Sequence, residues 1–310
     1  MTNSVASLFG PLKKFYESED TVEIIVNSFD NVYIEVKGKI DFIGDAFQSK
    51  QELEGVVHGI FKHVNREYQP DKIQHLTLED GTRIAFVGER LSGKGVCFNL
   101  MKQIKNEASW EDLLKWEAVT KEAKECIENI IKENRNFLLV GSVGSGKNTM
   151  ANRIMELVPQ EYRTISIERV NEMSIDRPHH VSLTALDNET ANLKPLAEGT
   201  KYLRADYLFF GQTEGPELPA MFERMGEGFS VFSITDGESI LEGLQRVEMQ
   251  YLAQDSIYDI ELIRRAIASN LKYVLFMTRD EKGKRHLAEI VKINGYDLGK
   301  YELETVYKVK

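Results

Sequence analysis

The chain has 310 residues, 42% hydrophobic and 28% charged, which excludes a collagen-like, largely disordered or membrane-spanning polypeptide and suits about two globular domains. Its formal charge of −10 should repel phosphate backbones, so nucleic acid is not expected as the main partner. Cys97 and Cys126 are too few for a disulfide scaffold and read as small buried residues. The opening MTNSVASLFG has neither a charged n-region nor a continuous apolar run, and no window approaches the ~18 apolar residues of a spanning helix. A cytoplasmic protein is expected, with any membrane contact peripheral.

In chain order, TVEIIVN (21–27) and NVYIEVKGKI (31–40) alternate apolar and polar residues around the turn-forming Ser28 to Asn31, which predicts a hairpin. Leu53, Val56, Val57, Ile60, Phe61 and Val64 recur at helical spacing and predict one amphipathic helix across 49–68. Its His58 and His63 are five residues apart, the wrong spacing for a shared metal, and read as solvated or core-edge side chains. Asp80-Gly81 marks a second hairpin in HLTLEDGTRIAFVG, so residues 1–103 form an N-terminal α+β domain. Residues 104–119 read as a polar linker and a short helix capped by Ser109 with Asp112. From 120 to 310, a helix capped at Thr120 precedes the apolar runs NFLLV, TISIE, HVSLT, YLFFG and SVFSI, each separated by helical patterns. That alternation predicts a mostly parallel α/β sheet covered on both faces, ending in antiparallel strands around Lys282-Gly283.

The informative segment is NFLLVGSVGSGKNTMANRIMELVP, where an apolar strand runs into Gly141, Ser142, Val143, Gly144, Ser145, Gly146 and Lys147, then into a helix through Asn148 and Thr149. Glycines let backbone N–H groups turn inward on a phosphate, the helix N-terminus adds a positive dipole end, and the lysine adds a point charge. A nucleotide, ATP or ADP, is the expected ligand. The residue after the lysine is Asn148, where this pattern asks for a hydroxyl to bind Mg²⁺. Thr149 lies about 100° further around the helix and does not reach the same point. The amide oxygen of Asn148 is thus the candidate metal ligand, in a site expected to hold Mg²⁺ weakly.

With this loop in place, the whole chain resembles the type II/type IV secretion-system ATPases, in particular the branch serving Tad/Flp-type pili. GPLKKFYESEDTVEIIVNSFDNVYIEVKGKI resembles that family's N-terminal opening, LTLEDGTRIAFVGE its "LpDGsRv" hairpin, and RTISIERVNEM its acidic Asp box. HHVSLTA resembles the next strand, LRADYLFFGQTEGPE its Walker B segment, MGEGFSVFSITDGES its His box, and LEGLQRVEMQYL the helix beyond. The resemblance implies a RecA-like P-loop NTPase domain over 120–310 behind the smaller N-terminal α+β domain. It also implies a hexameric ring and docking on an inner-membrane secretion or pilus platform protein.

Carried over position by position, several residues depart from the family's pattern. The Asp-box pair Glu-Asp reads Glu168-Arg169, with Glu172 keeping the second acid. Walker B ends in Gly211-Gln212 rather than Gly-Glu, the family's nearby arginine is Glu214, and Glu217 is kept. Both His-box histidines are replaced, by Glu227 and Thr235. The arginine that the resemblance implies at the end of the N-terminal domain aligns with Asn99, with Lys102 as the substitute cation; Arg204 and Arg246 match family arginines. His179 and His180 read as surface residues. The candidate catalytic set is therefore Glu168, Glu172, Gln212 and Glu217, with Lys102, Arg204 and Arg246 as trans or phosphate-sensing cations. Gln212 cannot accept a proton, although an amide can still orient a water. Glu214 and Glu227 are expected to make the site itself acidic.

Three functions stay open on the sequence. One is a nucleotide-binding ring subunit impaired in hydrolysis, assembling with copies of itself or with a competent paralogue. The second is an active secretion or pilus motor, and the third, against the charge, is a nucleic-acid motor.

Overall fold

Period-2 alternation in the first third of the chain builds one antiparallel sheet. The structure, a computed structural model, describes residues 5–36, 39–102, 108–173, 175, 177–185, 190–254, 258–280 and 283–309. It divides into two units, 1–105 and 106–310. Residues 104–107 of the linker and short helix expected over 104–119, and the turn residue Lys282, lie outside the described residues.

In the first unit six strands run in the order β3-β2-β1-β6-β5-β4: β1 (Thr21–Ser28), β2 (Asn31–Val36), β3 (Lys39–Gly44), β4 (Ile73–Thr77), β5 (Arg83–Val87) and β6 (Cys97–Met101). The predicted strand over 31–40 is two strands. Val36 pairs with Lys39, so Lys39 and Ile40 belong to β3 folded back on β2. A short helix, α1 (Lys13–Tyr16), precedes the sheet. The amphipathic helix α2 (Lys50–His63) starts at Ser49, whose side chain accepts from the Glu52 N–H, and buries Leu53, Val57, Ile60 and Phe61 on the sheet. It ends earlier than its apolar pattern, because Asn65 takes a positive φ of 54° that no helix continues.

In the second unit, Ser109 and Asp112 form a reciprocal capping box on α3 (Trp110–Lys115), and Thr120 caps α4 (Lys121–Lys132). Six parallel strands follow in the order β12-β7-β11-β10-β8-β9, extended by antiparallel β13 and β14. They are β7 (Phe137–Gly141), β8 (Thr164–Glu168), β9 (His180–Thr184), β10 (Tyr207–Gln212), β11 (Ser230–Thr235), β12 (Tyr273–Arg279), β13 (Arg285–Asp297) and β14 (Lys300–Lys308). Alternate residues of the central strands feed two cores. Phe137, Leu139, Phe209, Phe232 and Ile234 pack with α4 and α5 (Lys147–Leu157). Leu138, Val140, Leu208, Phe210 and Val231 pack against α6 (Leu193–Gly199), α7 (Leu218–Gly226), α8 (Ile240–Leu252) and α9 (Ile260–Asn270). Because the strands are parallel, everything that follows their C-terminal ends gathers on one edge, where ligands of open α/β sheets bind.

Two side-chain expectations change. Cys97 and Cys126 are only half-buried. His180 is not a surface residue: its ring bonds the hydroxyls of Thr164 (2.9 Å) and Ser166 (3.2 Å), and burial pushes its pKa down. His179 beside it is exposed. Among the described residues, no helix is long and apolar enough to cross a membrane.

Candidate functional site

β7 ends at Gly141 and α5 begins at Lys147, so the connecting loop sits on the C-terminal edge of the sheet between β12 and β11. Gly144 (φ 74°) and Gly146 (φ 96°) take backbone angles that side chains disfavour. A Cβ at Gly144 would lie 2.2 Å from the guanidinium tip of Arg279, which would have to swing aside, so the positive φ is the firmer reason for glycine there. Gly146 is the N-cap of α5 and supplies no side-chain cap, which leaves the first N–H groups of the helix for a ligand. These residues fit a nucleotide phosphate. Val143 stands at the exposed tip, while Ser142, Ser145 and Thr149 complete the loop and first turn.

Lys147 is 6% exposed and lies back on its own loop, donating to the Gly141 carbonyl (2.6 Å) and the Ser142 carbonyl (2.8 Å). It also pairs with Asp236 Oδ1 at 3.1 Å. Asn148 turns its amide nitrogen to the Glu172 carboxylate and donates a hydrogen bond to it. With its nitrogen turned to that carboxylate, the Asn148 side chain has its amide oxygen as the one atom that could meet Mg²⁺.

Around the loop, the four candidate acids and amides gather on the same edge. Glu168 is 4% exposed, and its Oε1 accepts from the Glu172 (3.2 Å) and Met173 (3.1 Å) N–H groups. Gln212 ends β10, and its amide nitrogen is buried with no hydrogen-bond partner among the described residues. Glu217 is 2% exposed and accepts from the Glu214 N–H (2.8 Å) and Gly215 N–H (3.3 Å). Burial raises its pKa above the usual carboxylate value against those two bonds, so Glu217 holds its proton to higher pH than an exposed glutamate. Thr235 ends β11, and its hydroxyl accepts from Thr213 at 2.8 Å, a neutral tie between the ends of β10 and β11.

The candidate cations are spread more widely. Arg246, on α8, lies 3.7 Å from Asp236 Oδ2 and so joins the Lys147 cluster. Arg204 is exposed and precedes β10, at the opposite edge from the loop, where it has no reach to phosphates held by its own chain. Lys102 belongs to the first unit, donates to the Ser18 carbonyl (2.6 Å), and is shifted down in pKa by burial. The acidity expected of the site is half corrected: Glu227 precedes β11 on that same far edge and pairs with Arg224 at 2.8 Å. Only Glu214 is at the site. Two residues there were not read from the sequence: Asp236, and Arg279, whose Nε donates to the Gly144 carbonyl at 2.7 Å. Both directly follow or end the strands flanking β7, so the strand order is the signal that identifies them.

One contact reinterprets two of the departures. Arg169 and Glu214, each opposite in charge to the family's pattern, face one another with Nε 2.9 Å from Oε1. The two changes are complementary. Arg169→Glu should destabilise the fold and Glu214→Arg added to it should restore it, with a coupling of about 1 kcal/mol because both groups are part-exposed. Urea unfolding of the four variants measures it, and a coupling near zero would separate the two changes.

A strand, a left-handed glycine loop, an uncapped helix N-terminus and a buried lysine on a RecA-like sheet define a P-loop nucleotide-binding fold. Residues 116–191 match the family described as magnesium chelatase, subunit ChlI. The sequence is 25% identical over 214 residues to the conjugal transfer protein TrbB of Rhizobium radiobacter, covering 68% of this chain and 64% of TrbB. The chain thus spans just under two thirds of that relative's length. Its structure is similar to the ATPase DotB of Legionella pneumophila, with a TM-score of 0.65 and 14% identity over 94% of this chain and 82% of DotB. It is similar also to the pilus retraction motor PilT with bound ADP, with a TM-score of 0.64 and 13% identity over 98% of this chain and 83% of PilT. At the level of fold, the resemblance to secretion and pilus ATPases holds.

Proposed function

We propose that this chain is a nucleotide-binding subunit of a secretion or pilus-assembly ATPase system that binds ATP or ADP in its phosphate loop and hydrolyses ATP slowly or not at all. The observation that carries this is the Asn148 to Glu172 hydrogen bond, which uses the metal-ligand position and the retained Asp-box acid on each other. Gln212 adds to it, since its buried amide nitrogen presents a donor where a general base needs an acceptor. Binding elements are kept while the groups that compensate charge in phosphoryl transfer are altered together. Such a subunit belongs in a ring, hexameric by resemblance, of copies of itself or mixed with a competent paralogue, docked at the cytoplasmic face of an inner-membrane platform protein. The Tad/Flp branch is the one proposed.

Titration with ADP and ATP, with and without Mg²⁺, tests it alongside steady-state hydrolysis. Binding is expected in both conditions and should be lost in Lys147→Ala, with turnover well below the ~1 s⁻¹ at the low end of typical enzymes. Mg²⁺-dependent turnover at or above ~1 s⁻¹, abolished by Lys147→Ala, would sink the proposal. In favour of an active motor stands Glu168, whose Cγ is 3.0 Å from where a Cβ on Gly211 would sit, a buried carboxylate beside the end of β10. That motor would lose its turnover in Glu168→Gln. A nucleic-acid motor has the charge of −10 against it.

A further inference from the structure

An ammonium group has three donors and accepts nothing, and all three donors of Lys147 are already matched: by the Gly141 carbonyl at 2.6 Å, the Ser142 carbonyl at 2.8 Å and Asp236 Oδ1 at 3.1 Å. A nucleotide phosphate that takes the lysine must displace one of them. The two carbonyls are backbone of the loop itself. Asp236 is held on a backbone that is also fixed, since the next residue, Gly237, donates its N–H to the Gly141 carbonyl at 3.4 Å. A Cβ on Gly237 would meet the Gly243 nitrogen at 2.8 Å and Val140 Cγ1 at 3.0 Å, so the chain there has no slack. The Asp236 side chain is the one partner free to turn. Its second oxygen already lies 3.7 Å from Arg246 Nη2, and the arginine is 51% exposed, open to a closer pairing.

We propose that Asp236 is an internal stand-in for nucleotide phosphate: it occupies Lys147 in the free protein and passes to Arg246 when a nucleoside di- or triphosphate enters. Asp236 and Arg246 then set the affinity of the loop without touching the phosphates. The acid lowers affinity by competing for the lysine, and the arginine raises it by receiving the acid. The charge explains why an aspartate does this and an asparagine would not, because an amide holds an ammonium far less strongly than a carboxylate. This rests on the phosphate-loop function proposed above.

The test is calorimetric titration of the full chain with ADP, for wild type, Asp236→Asn, Arg246→Gln, the double variant and Lys147→Ala. Asp236→Asn should bind ADP about tenfold tighter, the scale of one charge-assisted hydrogen bond. Arg246→Gln should bind severalfold weaker in the wild-type background and show no effect in the Asp236→Asn background. If wild type and Asp236→Asn bind equally and Lys147→Ala abolishes binding, the stand-in is overturned and nucleotide binding is kept. If neither wild type nor Asp236→Asn binds ADP, the phosphate-loop function falls and the stand-in with it. An Arg246→Gln loss of equal size in both backgrounds would mean that the arginine meets the nucleotide directly, which overturns its role as receiver. Asp236→Ser, which also removes the charge, replaces Asp236→Asn should the latter lower the unfolding midpoint, and the same outcomes apply.

Discussion

Gln212→Glu combined with Asn148→Thr is expected to raise steady-state ATP hydrolysis by about 10²-fold or more over the wild-type chain, the lower end of what a positioned general base contributes. The two changes act on different parts of one step. Asn148→Thr removes the amide that donates to Glu172, so that carboxylate loses this donor and a hydroxyl stands at the metal position. Gln212→Glu turns a buried donor without a partner into an acceptor at the end of β10. Each single variant should do much less than the pair, because groups serving one transition state are non-additive. Gln212→Glu alone also adds a further acid to an edge that already holds Glu168, Glu172, Glu214, Glu217 and Asp236, which favours a protonated and inactive carboxyl. Coupled-assay rates for the four variants, with Lys147→Ala as background, decide it. Rates unchanged in the double variant would show that the loss extends beyond these two positions.

The fold was legible because its signals are local. Strand, glycine loop and helix stand in order from Phe137 to Leu157, and the helix starts at Ser49, Ser109 and Thr120 carry side chains that accept the expected N–H groups. What misled was long-range. The alternation of 31–40 is the same whether one strand continues or two fold together, so β3 could not be separated from β2 by period alone. Glu227 and Glu214 look equivalent as acids replacing basic family residues, yet one precedes β11 and the other follows β10, and a parallel sheet puts those points on opposite edges. Asp236 and Arg279 carry no motif. They reach the phosphate loop only because β11 and β12 flank β7, a strand order that local pattern does not encode.

That strand order is held at its centre by three aromatic rings, and their removal is expected to have the largest effect on stability. Phe209, Phe232 and Phe137 are in register across β10, β11 and β7. Phe232 stacks on Phe137 with centroids 4.8 Å apart and planes 5° apart, and tilts on Phe209 at 4.5 Å. All three are at most 2% exposed. Phe232→Ala should cost about 3–5 kcal/mol, the range for emptying a fully packed aromatic site. That is a large share of the ~5–15 kcal/mol by which a domain is stable. Phe232→Leu, which keeps most of the volume, should cost about 1.5 kcal/mol or less. The same three strands deliver the phosphate loop, Gln212 and Asp236 to one edge, so loosening them should also blunt nucleotide binding. ADP in excess should therefore recover part of the unfolding midpoint that Phe232→Ala loses, since a ligand that binds only the folded form stabilises it. Urea unfolding with and without ADP measures both. A loss under about 1 kcal/mol would place the ring ladder among surface substitutions and leave the register of β7, β10 and β11 to be explained by the helices that pack on them.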